Sequence, residues 1–460
     1  MKLLSRLLWV ALLLPAALGA VSGCQIDPLT GKTTVNIVSY EQEEQMGNEA
    51  AQPIVAELGG LYPDRAAQQY LDTVGQKLVA AGRTRLKDEA GFPDWEFKFY
   101  LVNSSMINAF ALPGGHVFVT RGILLRMKDE AELAGLLGHE VTHVFARHSA
   151  ERMTEISLMM IPVALLASIE ETQGIAVVGA VAVQVLSLKY SRDDESESDA
   201  FGMRFAARAG YDPAGVIGVM RMLKAYTDEQ GGAPPEFFST HPDPGNRVDT
   251  LSDQLRREYA DAPTGNYVRN EDQYGTALVG MRAAQPAYDL ADQGDTAMAA
   301  GFEAFEKGDL AAARAEYTRA LGLYELAVGK QRDHAILHVN VAQARFYLEQ
   351  YDGAEQAIKD ALRLESGTFW PNFMGGLVAI KCNDNTTAQT RLQNALKLVP
   401  GSPVGLFYLG VAYDREQKVP EACDCYQKTW DALDGQGALA EKARERLIAL
   451  GKPDPKPQPK

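Results

Sequence analysis

The carboxy-terminal part of the chain repeats itself, and this periodicity limits the possible folds more than any other feature of the sequence. A column of alanines recurs with spacings of 41, 34 and 34 residues, and it consists of Ala313, Ala354, Ala388 and Ala422. A column of small residues has the same spacings, and it consists of Gly301, Ala342, Gly376 and Gly410. A helix–turn–helix unit of this length buries its apolar face only against the next unit. The pattern therefore predicts an α-solenoid over residues 292–450.

The 34-residue unit resembles the tetratricopeptide repeat. Leu409-Gly410-x-x-Tyr413 fits the first-helix pattern of that repeat, whereas the first unit fits it least well. The resemblance implies a curved surface that binds extended protein segments. Residues 259–291 are predicted to form a polar connector before the repeats, and residues 451–460 a disordered tail rich in lysine and proline.

The amino terminus predicts export from the cytoplasm. Lys2 and Arg6 precede an apolar run, so residues 1–23 have the pattern of a secretory signal peptide. The run ends in Val-Ser-Gly-Cys24, which resembles the bacterial lipobox, whose cysteine is lipidated. Gln25 replaces the aspartate that retains lipoproteins in the inner membrane of enteric bacteria. We therefore expect a lipid anchor on the periplasmic side of the outer membrane, or a soluble periplasmic protein if Cys24 is not lipidated. The alternative is an ordinary transmembrane anchor.

Composition excludes several classes of protein. The net charge of −15 argues against a nucleic-acid partner, whose phosphates require a basic surface. A hydrophobic content of 46% with 23% charged residues excludes a mostly disordered chain. Four cysteines in 460 residues are too few for a disulfide scaffold. Cys382, Cys423 and Cys425 allow at most one internal disulfide, between Cys382 and one of the other two.

The segment His139-Glu140-Val141-Thr142-His143 has the spacing of a zinc site. Residues i and i+4 lie on one face of a helix, so the two imidazoles can bind one Zn²⁺. Glu140 lies one residue round the helix, where its carboxylate can hold and deprotonate the attacking water. The apolar residues just before the motif favour a buried helix over a solvated helix with two ordinary histidines. We therefore predict one Zn²⁺ per chain.

A catalytic zinc site needs a third protein ligand and one open position. His148 follows His139 by nine residues, which is half a turn round a continuous helix, so we expect it to be structural or to contact a ligand. A carboxylate from the acidic run Ser191-Arg192-Asp-Asp-Glu-Ser-Glu-Ser-Asp is the better candidate.

Within that run the sequence favours Glu195 but does not exclude Asp194 or Glu197. Asp199 shares a helix face with Glu195 and could hydrogen-bond a ligand imidazole. The alternative is a charged run on a solvated helix face.

Residues 156–188 are almost free of charge. Their two apolar stretches are each shorter than the ~20 residues that a membrane span needs. We interpret them as a pair of buried core helices, and the alternative is a hairpin that dips into the membrane or covers the active site.

Together these motifs resemble the M48 zinc metallopeptidases. The third ligand of that family is the glutamate of an E-x-x-A-D motif, which the resemblance places at Glu195, with Ser198 in place of the alanine and Asp199 as the aspartate. The H-P…R element of the family matches His241, which a proline follows, and Arg247. The resemblance implies that His241 donates to the developing oxyanion or fills the open zinc position until substrate displaces it. Arg247 could anchor this loop or a substrate carbonyl, and the alternative is a simple capping turn.

The resemblance also implies a role for the predicted strand that begins at His116. It would be the edge strand that pairs with an extended substrate, with Val117 and Phe118 at the substrate site. Gly114 and Gly115 would let the two backbones approach closely. We expect His116 itself to be structural or to lie at the rim.

The sequence thus predicts a mainly helical α+β chain, with a zincin-like metallopeptidase domain and a small sheet over residues 24–258, followed by the repeats. The expected function is that of a zinc-dependent endopeptidase in quality control or assembly of periplasmic and outer-membrane proteins, similar in architecture to the periplasmic BepA-type proteases. Unfolded or misassembled envelope proteins would be its substrates, and the repeats would dock these substrates or the outer-membrane assembly machinery. The alternative is a repeat-based chaperone or scaffold with latent or minor protease activity.

Overall fold

The computed structural model describes residues 24–86, 92–155, 189–242, 245–260 and 266–455. These residues are mainly helical and include two small sheets, which confirms the predicted fold class. None of the helices within these ranges is long and apolar enough to cross a membrane.

Two predictions concern other parts of the chain. The signal peptide over residues 1–23 and the apolar segment over residues 156–188 both lie outside the described residues. The described chain begins with strand β1 (Cys24–Ile26), which pairs antiparallel with β2 (Thr33–Val35).

The amino-terminal half packs helices around a three-stranded sheet. The strands are β3 (Lys98–Val102), β4 (Ala109–Leu112) and β5 (His116–Thr120). The helices are α1 (Tyr40–Glu57), α2 (Arg65–Leu86), α3 (Arg121–Arg126), α4 (Glu130–Phe145), α5 (Arg192–Arg208), α6 (Gly215–Glu229), α7 (Phe237–Thr240) and α8 (Arg247–Tyr259). Helix α4 lies at the centre, because every one of its residues is buried.

Strand β5 is the central strand of this sheet, so the prediction of an edge strand beginning at His116 is wrong. It pairs in parallel with β3 and antiparallel with β4. Val117 and Phe118 are fully buried within the protein rather than at a substrate site. The sequence pattern predicts that residues 116–120 form a strand, but it does not predict the position of that strand in the sheet. The segment that forms the short β4 has the sequence pattern of a turn-rich connection. Strand β4, whose other edge pairs with no strand among the described residues, packs against α4.

The turn between β4 and β5 serves the packing of this chain rather than the approach of a substrate. Gly114 and Gly115 have positive φ angles of 77° and 94°. A Cβ atom on Gly114 would lie 2.7 Å from the backbone of α1. His116 is structural, because its Nδ1 lies 3.0 Å from the Tyr100 hydroxyl and its Nε2 lies 3.2 Å from Asn48 Oδ1.

Helix α4 carries the H-E-x-x-H motif and is shorter than predicted. Asp129, with Glu132 three residues later, predicts the start of this helix, and Asp129 does accept a hydrogen bond from the backbone nitrogen of Glu132. It ends at Phe145, whereas the sequence predicts a helix that continues to about Arg152.

The break comes from Arg147, which adopts a left-handed conformation with a φ of 60°. Its Nε donates a hydrogen bond of 2.6 Å to the buried carboxylate of Glu43. A second hydrogen bond of 2.7 Å reaches the carbonyl oxygen of Val38, and the guanidinium lies 4.0 Å from the centre of the Tyr40 ring. These contacts with the start of the domain turn the chain into a second helical segment over 148–155.

Helix α5 crosses α4 at close range. Ser191 begins it through a capping box with Asp194. At the crossing a Cβ atom on Gly138 would lie 2.7 Å from the carbonyl oxygen of Gly202. The close approach brings the acidic residues of α5 up to the histidines of α4.

Asp212 followed by a proline has the sequence pattern of a helix start, but helix α6 begins slightly later, at Gly215. Asp212 Oδ1 accepts a hydrogen bond from the backbone nitrogen of Ala214 at 2.9 Å. The aspartate therefore caps a turn before the helix rather than the helix itself.

The carboxy-terminal half is a stack of helices in which each helix packs on the next. These helices are α9 (Glu271–Ala277), α10 (Val279–Glu306), α11 (Leu310–Lys330), α12 (Ala335–Tyr347), α13 (Tyr351–Leu364), α14 (Phe369–Lys381), α15 (Asn385–Leu398), α16 (Pro403–Arg415), α17 (Val419–Ala432) and α18 (Gly437–Ala449). A Cβ atom on Gly376 would lie 2.5 Å from the Leu392 side chain, which explains the column of small residues. Helix α10 runs without a break from the predicted connector into the repeats.

Specific polar contacts join the two halves. The Tyr288 hydroxyl lies 2.7 Å from His334 Nδ1 and accepts a hydrogen bond from Asn103 Nδ2 at 3.1 Å. Trp370 Nε1 donates to the carbonyl oxygen of Ala56 at 2.6 Å. The repeats are therefore packed directly on the amino-terminal half.

The three cysteines of the repeats are free thiols. Cys382 is exposed, whereas Cys423 and Cys425 are buried. The structure thus forms none of the disulfides that the sequence allows among them.

Candidate active site

Four side chains converge on one buried point. His139 and His143 come from α4, Glu195 comes from α5, and His241 directly follows α7. One donor atom from each lies within 4.8 Å of the other three. All four residues are at most 1% exposed. The H-E-x-x-H motif predicts His139 and His143, and the family resemblance predicts Glu195 and His241.

The spacing of these donors suits one small cation. The Nε2 atoms of His139 and His143 are 3.1 Å apart. His241 Nδ1 lies 3.3 Å from His139 Nε2 and 2.9 Å from Glu195 Oε1. Ligand atoms bound tetrahedrally to zinc lie ~3.3 Å from one another.

Asp199 orients the first histidine, as the sequence suggests. Its Oδ1 lies 3.0 Å from His139 Nδ1. Burial would raise the pKa of Asp199, but the nearby charge of Arg247 and hydrogen bonds with His139 and Arg247 hold this pKa below its usual value. The proton of His139 therefore sits on Nδ1, and Nε2 directs a lone pair at the other donors. A bound cation would satisfy this lone pair.

Arg247 holds the two carboxylates of α5. Its Nε and Nη2 donate to Asp199 at 2.8 and 2.6 Å, and its Nη1 lies 2.9 Å from Glu195 Oε2. The side chain is buried, so this arrangement fits the positioning of ligands better than the binding of a substrate carbonyl.

Of the three acids that the sequence leaves open, Glu195 is the one that reaches the four-donor point. Asp194 accepts a hydrogen bond from the backbone nitrogen of Ser191 and belongs to the helix cap. Glu197 lies on another face, with Oε1 3.8 Å from His148 Nε2.

The ionisation of the donors also suits a metal. Burial would raise the pKa of Glu195, but the charge of His241 and hydrogen bonds with His143 and His241 hold this pKa well below its usual value. Burial lowers the pKa of His143 well below its usual value, so its imidazole is neutral. An ionised carboxylate and a neutral imidazole are the forms that bind metals.

Glu140 faces the same point and is fully buried. Neither of its carboxylate oxygens has a hydrogen-bond partner among the described residues, and its Oε1 lies 3.6 Å from His241 Nε2. Burial raises the pKa of Glu140, although the charges of His241 and His139 oppose this effect. A buried carboxylate without partners is costly unless the site holds something that it binds. The residues present therefore fit a metal with an adjacent general base.

Sequence reasoning misses two aromatic residues of the site. Tyr190 stacks on His143 with ring centroids 3.9 Å apart, and its hydroxyl lies 3.0 Å from Ser149 Oγ. Phe237 stacks on His241 with centroids 4.3 Å apart. The available signals are weak, namely a tyrosine just before the cap of α5 and a phenylalanine four residues before a histidine.

Comparison with known proteins agrees with this geometry. The sequence profile of Peptidase family M48 matches residues 66–255. The beta-barrel assembly-enhancing protease of Yersinia pestis is 27% identical over 84% of this chain and 73% of its own length, and that of Escherichia coli K12 is 26% identical over 92% and 82%. The mitochondrial metalloendopeptidase OMA1 of Schizosaccharomyces pombe is 30% identical over 51% of this chain and 68% of its own length. A solved structure of a MamA double mutant covers 35% of this chain and 83% of its own, with 17% identity and a TM-score of 0.29, a likeness too low to support an inference.

The match to the family profile spans the residues that supply all four donors. The yeast relative is matched over more than two thirds of its length. The chain belongs to peptidase family M48 and is a metalloendopeptidase.

Proposed function

We propose that the protein is a zinc endopeptidase of the bacterial envelope that cleaves unfolded or misassembled proteins during outer-membrane assembly. The catalytic part of this proposal rests on one observation. The buried carboxylate of Glu140 has no hydrogen-bond partner among the described residues and lies beside four converging donors. The envelope part is supported by relatives whose names describe β-barrel assembly and by the signal-peptide pattern of residues 1–23.

In this proposal His139, His143 and Glu195 hold the ion. Two imidazoles and one carboxylate form a ligand set that suits zinc. When bound, zinc supplies Lewis acidity that activates water and polarises the scissile carbonyl. Asp199 and Arg247 keep the ligands in orientation.

Glu140 acts first as general base and then as general acid. Its unpartnered oxygens accept the proton of the attacking water, and the same carboxyl group then donates a proton to the leaving amine. Burial raises the pKa of Glu140 above its usual value, which favours the protonated form that donates to the leaving amine.

His241 is a gate in this proposal. Its Nδ1 lies as close to His139 and Glu195 as ligand atoms lie to one another. A catalytic zinc site keeps one position open, and a fourth protein donor would fill it. Substrate must then displace His241 before hydrolysis, so the resting enzyme has low activity.

In the active form the substrate backbone would pair with the outer edge of β4, whose four residues are at most 6% exposed in this structure. Thr120 donates from its backbone nitrogen to the carbonyl of Asn108, so the alternation of an antiparallel ladder directs the backbone groups of Ala109 and Ala111 away from β5. Within the described ranges no strand pairs with that edge. Ala111→Pro removes one outward N–H and should reduce cleavage at unchanged zinc content, whereas Ala111→Ser keeps the N–H and is the control. Equal cleavage by both variants would contradict this pairing.

The remaining parts would bring the site to its substrates. The repeats over residues 292–450 would dock the substrate or an outer-membrane assembly partner, behind a peptidase domain over 24–258 and a connector over 259–291. A lipid on Cys24 would anchor the protein to the periplasmic side of the outer membrane, as its lipobox-like sequence suggests.

The test is the zinc content of residues 25–460, with casein cleavage measured on the same samples. We expect about one zinc per wild-type chain, much less in Glu195→Gln, and zinc without cleavage in Glu140→Gln. Glu155→Gln changes an exposed glutamate and should retain both the bound zinc and the casein cleavage. Folded wild-type protein without zinc would refute the proposal. Zinc without cleavage in the wild type would fit either the His241 gate or the scaffold function. Cleavage gained by His241→Ala would then identify the gate, and cellular function retained by Glu140→Gln would identify the scaffold.

A further inference from the structure

We propose that His148, supported by Glu197, is a positioning residue that accepts the Nδ1 hydrogen of His143 and so directs its Nε2 lone pair at the metal. This inference rests on the proposed zinc site and adds to it a hydrogen-bonded relay on the far side of the second histidine ligand.

The backbone places His148 where a continuous helix would not. Nine residues after His139, a straight helix would carry this side chain to the opposite face. The left-handed turn at Arg147 folds the next helical segment back instead. His148 is consequently 3% exposed, and its ring centroid lies 4.9 Å from that of His143.

The contact between the two rings requires a single shared proton. His143 Nδ1 and His148 Nδ1 are 2.9 Å apart. Either His143 donates to His148, or His148 donates to His143. In the second case the proton of neutral His143 must sit on Nε2, where it points at His139 and blocks metal binding. Only donation by His143 leaves its Nε2 free to bind an ion.

Glu197 selects the arrangement that permits metal binding. Its Oε1 lies 3.8 Å from His148 Nε2. When His148 accepts at Nδ1, its own proton sits on Nε2 and faces this carboxylate favourably. When His148 donates at Nδ1, a nitrogen lone pair faces the carboxylate, which is repulsive. Of the two neutral tautomers of His148, the carboxylate therefore stabilises the one that accepts at Nδ1.

The two histidine ligands thus use different partners for the same purpose. His139 meets Asp199 directly, at 3.0 Å. His143 contacts the imidazole of His148, which in turn faces the carboxylate of Glu197 on the same helix as Asp199. Partners of this kind fix the orientation of a ligand and raise its basicity, and their loss commonly weakens metal binding by ~10–100-fold.

The experiment measures the Zn²⁺ affinity of the full chain by competition with a chromogenic chelator. His148→Phe keeps a ring but removes the acceptor, so we expect the affinity to fall by ~10–100-fold. His148→Asn places an amide oxygen near the position of Nδ1 and should restore most of the affinity. Glu197→Gln should give a smaller loss, because the acceptor remains but its charged support is removed.

His334→Phe is the matched control, because it replaces another buried histidine, in the repeats, by the same residue. It should leave the zinc affinity unchanged. Wild-type affinity in folded His148→Phe, or equal losses in the Phe and Asn variants, would overturn the inference. If His148→Phe does not fold, Glu197→Gln decides, and an unchanged affinity there would overturn it. A wild-type chain without zinc would instead refute the proposed zinc site.

Discussion

Replacing Glu43 by alanine should destabilise the peptidase half by about 3–5 kcal/mol, because it removes the carboxylate that neutralises a buried guanidinium. Glu43 is 1% exposed and Arg147 is 2% exposed, so water can replace little of the lost interaction. The pair is joined by a hydrogen bond of 2.6 Å between Arg147 Nε and Glu43 Oε1. Burial raises the pKa of Glu43 to about 7, so the measurement belongs at about pH 8, where the carboxylate is ionised.

Urea unfolding followed by tryptophan fluorescence measures this change. In a background in which Trp370 and Trp430 are replaced by phenylalanine, Trp95 is the remaining reporter in residues 25–460. Its ring centroid lies 5.7 Å from that of Tyr40, which in turn packs on the guanidinium. The signal therefore reports the unfolding of the region that the substitution affects.

Two controls make the result decisive. Glu44→Ala changes the exposed neighbouring glutamate and should alter the free energy of unfolding by no more than about 0.5 kcal/mol. The double variant Glu43→Leu with Arg147→Met buries no charge and should recover most of the loss. A Glu43→Ala variant that loses less than about 1 kcal/mol would refute the assigned role of the ion pair.

Three further predictions concern other residues. His241→Ala should raise casein cleavage and lower zinc affinity, whereas lower cleavage at unchanged affinity would identify an oxyanion donor instead of a gate. Asp199→Asn should weaken zinc binding by ~10–100-fold in chelator competition, and wild-type affinity would exclude its role in orienting His139. Burial lowers the pKa of His116 to about 4, so the unfolded chain takes up its proton first as the pH falls. Stability should therefore decline between about pH 6.5 and 4, by up to about 3 kcal/mol, and His116→Gln should flatten that part of the pH–stability curve.

The sequence predicts some donors of the site more directly than others. His139 and His143 follow from helix geometry alone, because residues four apart share a face. The choice of Glu195 over Asp194 and Glu197 needs either the family resemblance or the structure. Spacing within α5 does not reveal which of its faces meets α4, since that depends on how closely the two helices cross.

The features that sequence reasoning missed depend on contacts between distant residues. Nothing local to Arg147 predicts its left-handed conformation, since its partner Glu43 lies 104 residues away along the chain. The order of strands in the sheet is likewise set by pairing, and alternation in a single strand carries no information about its neighbours. Tyr190 becomes part of the site only through its stacking on His143.

The donors of the site come from segments far apart in the chain, since 52 residues separate His143 from Glu195 and 46 separate Glu195 from His241. An ion held by all three closes two long loops at once, and so acts on the unfolded chain as a cross-link does. The cysteines of the repeats form no such link. Metal supply would therefore govern the lifetime of the protein as well as its activity. Copies that fail to load would open more often and expose α5 to proteolysis, including by loaded copies of the same enzyme.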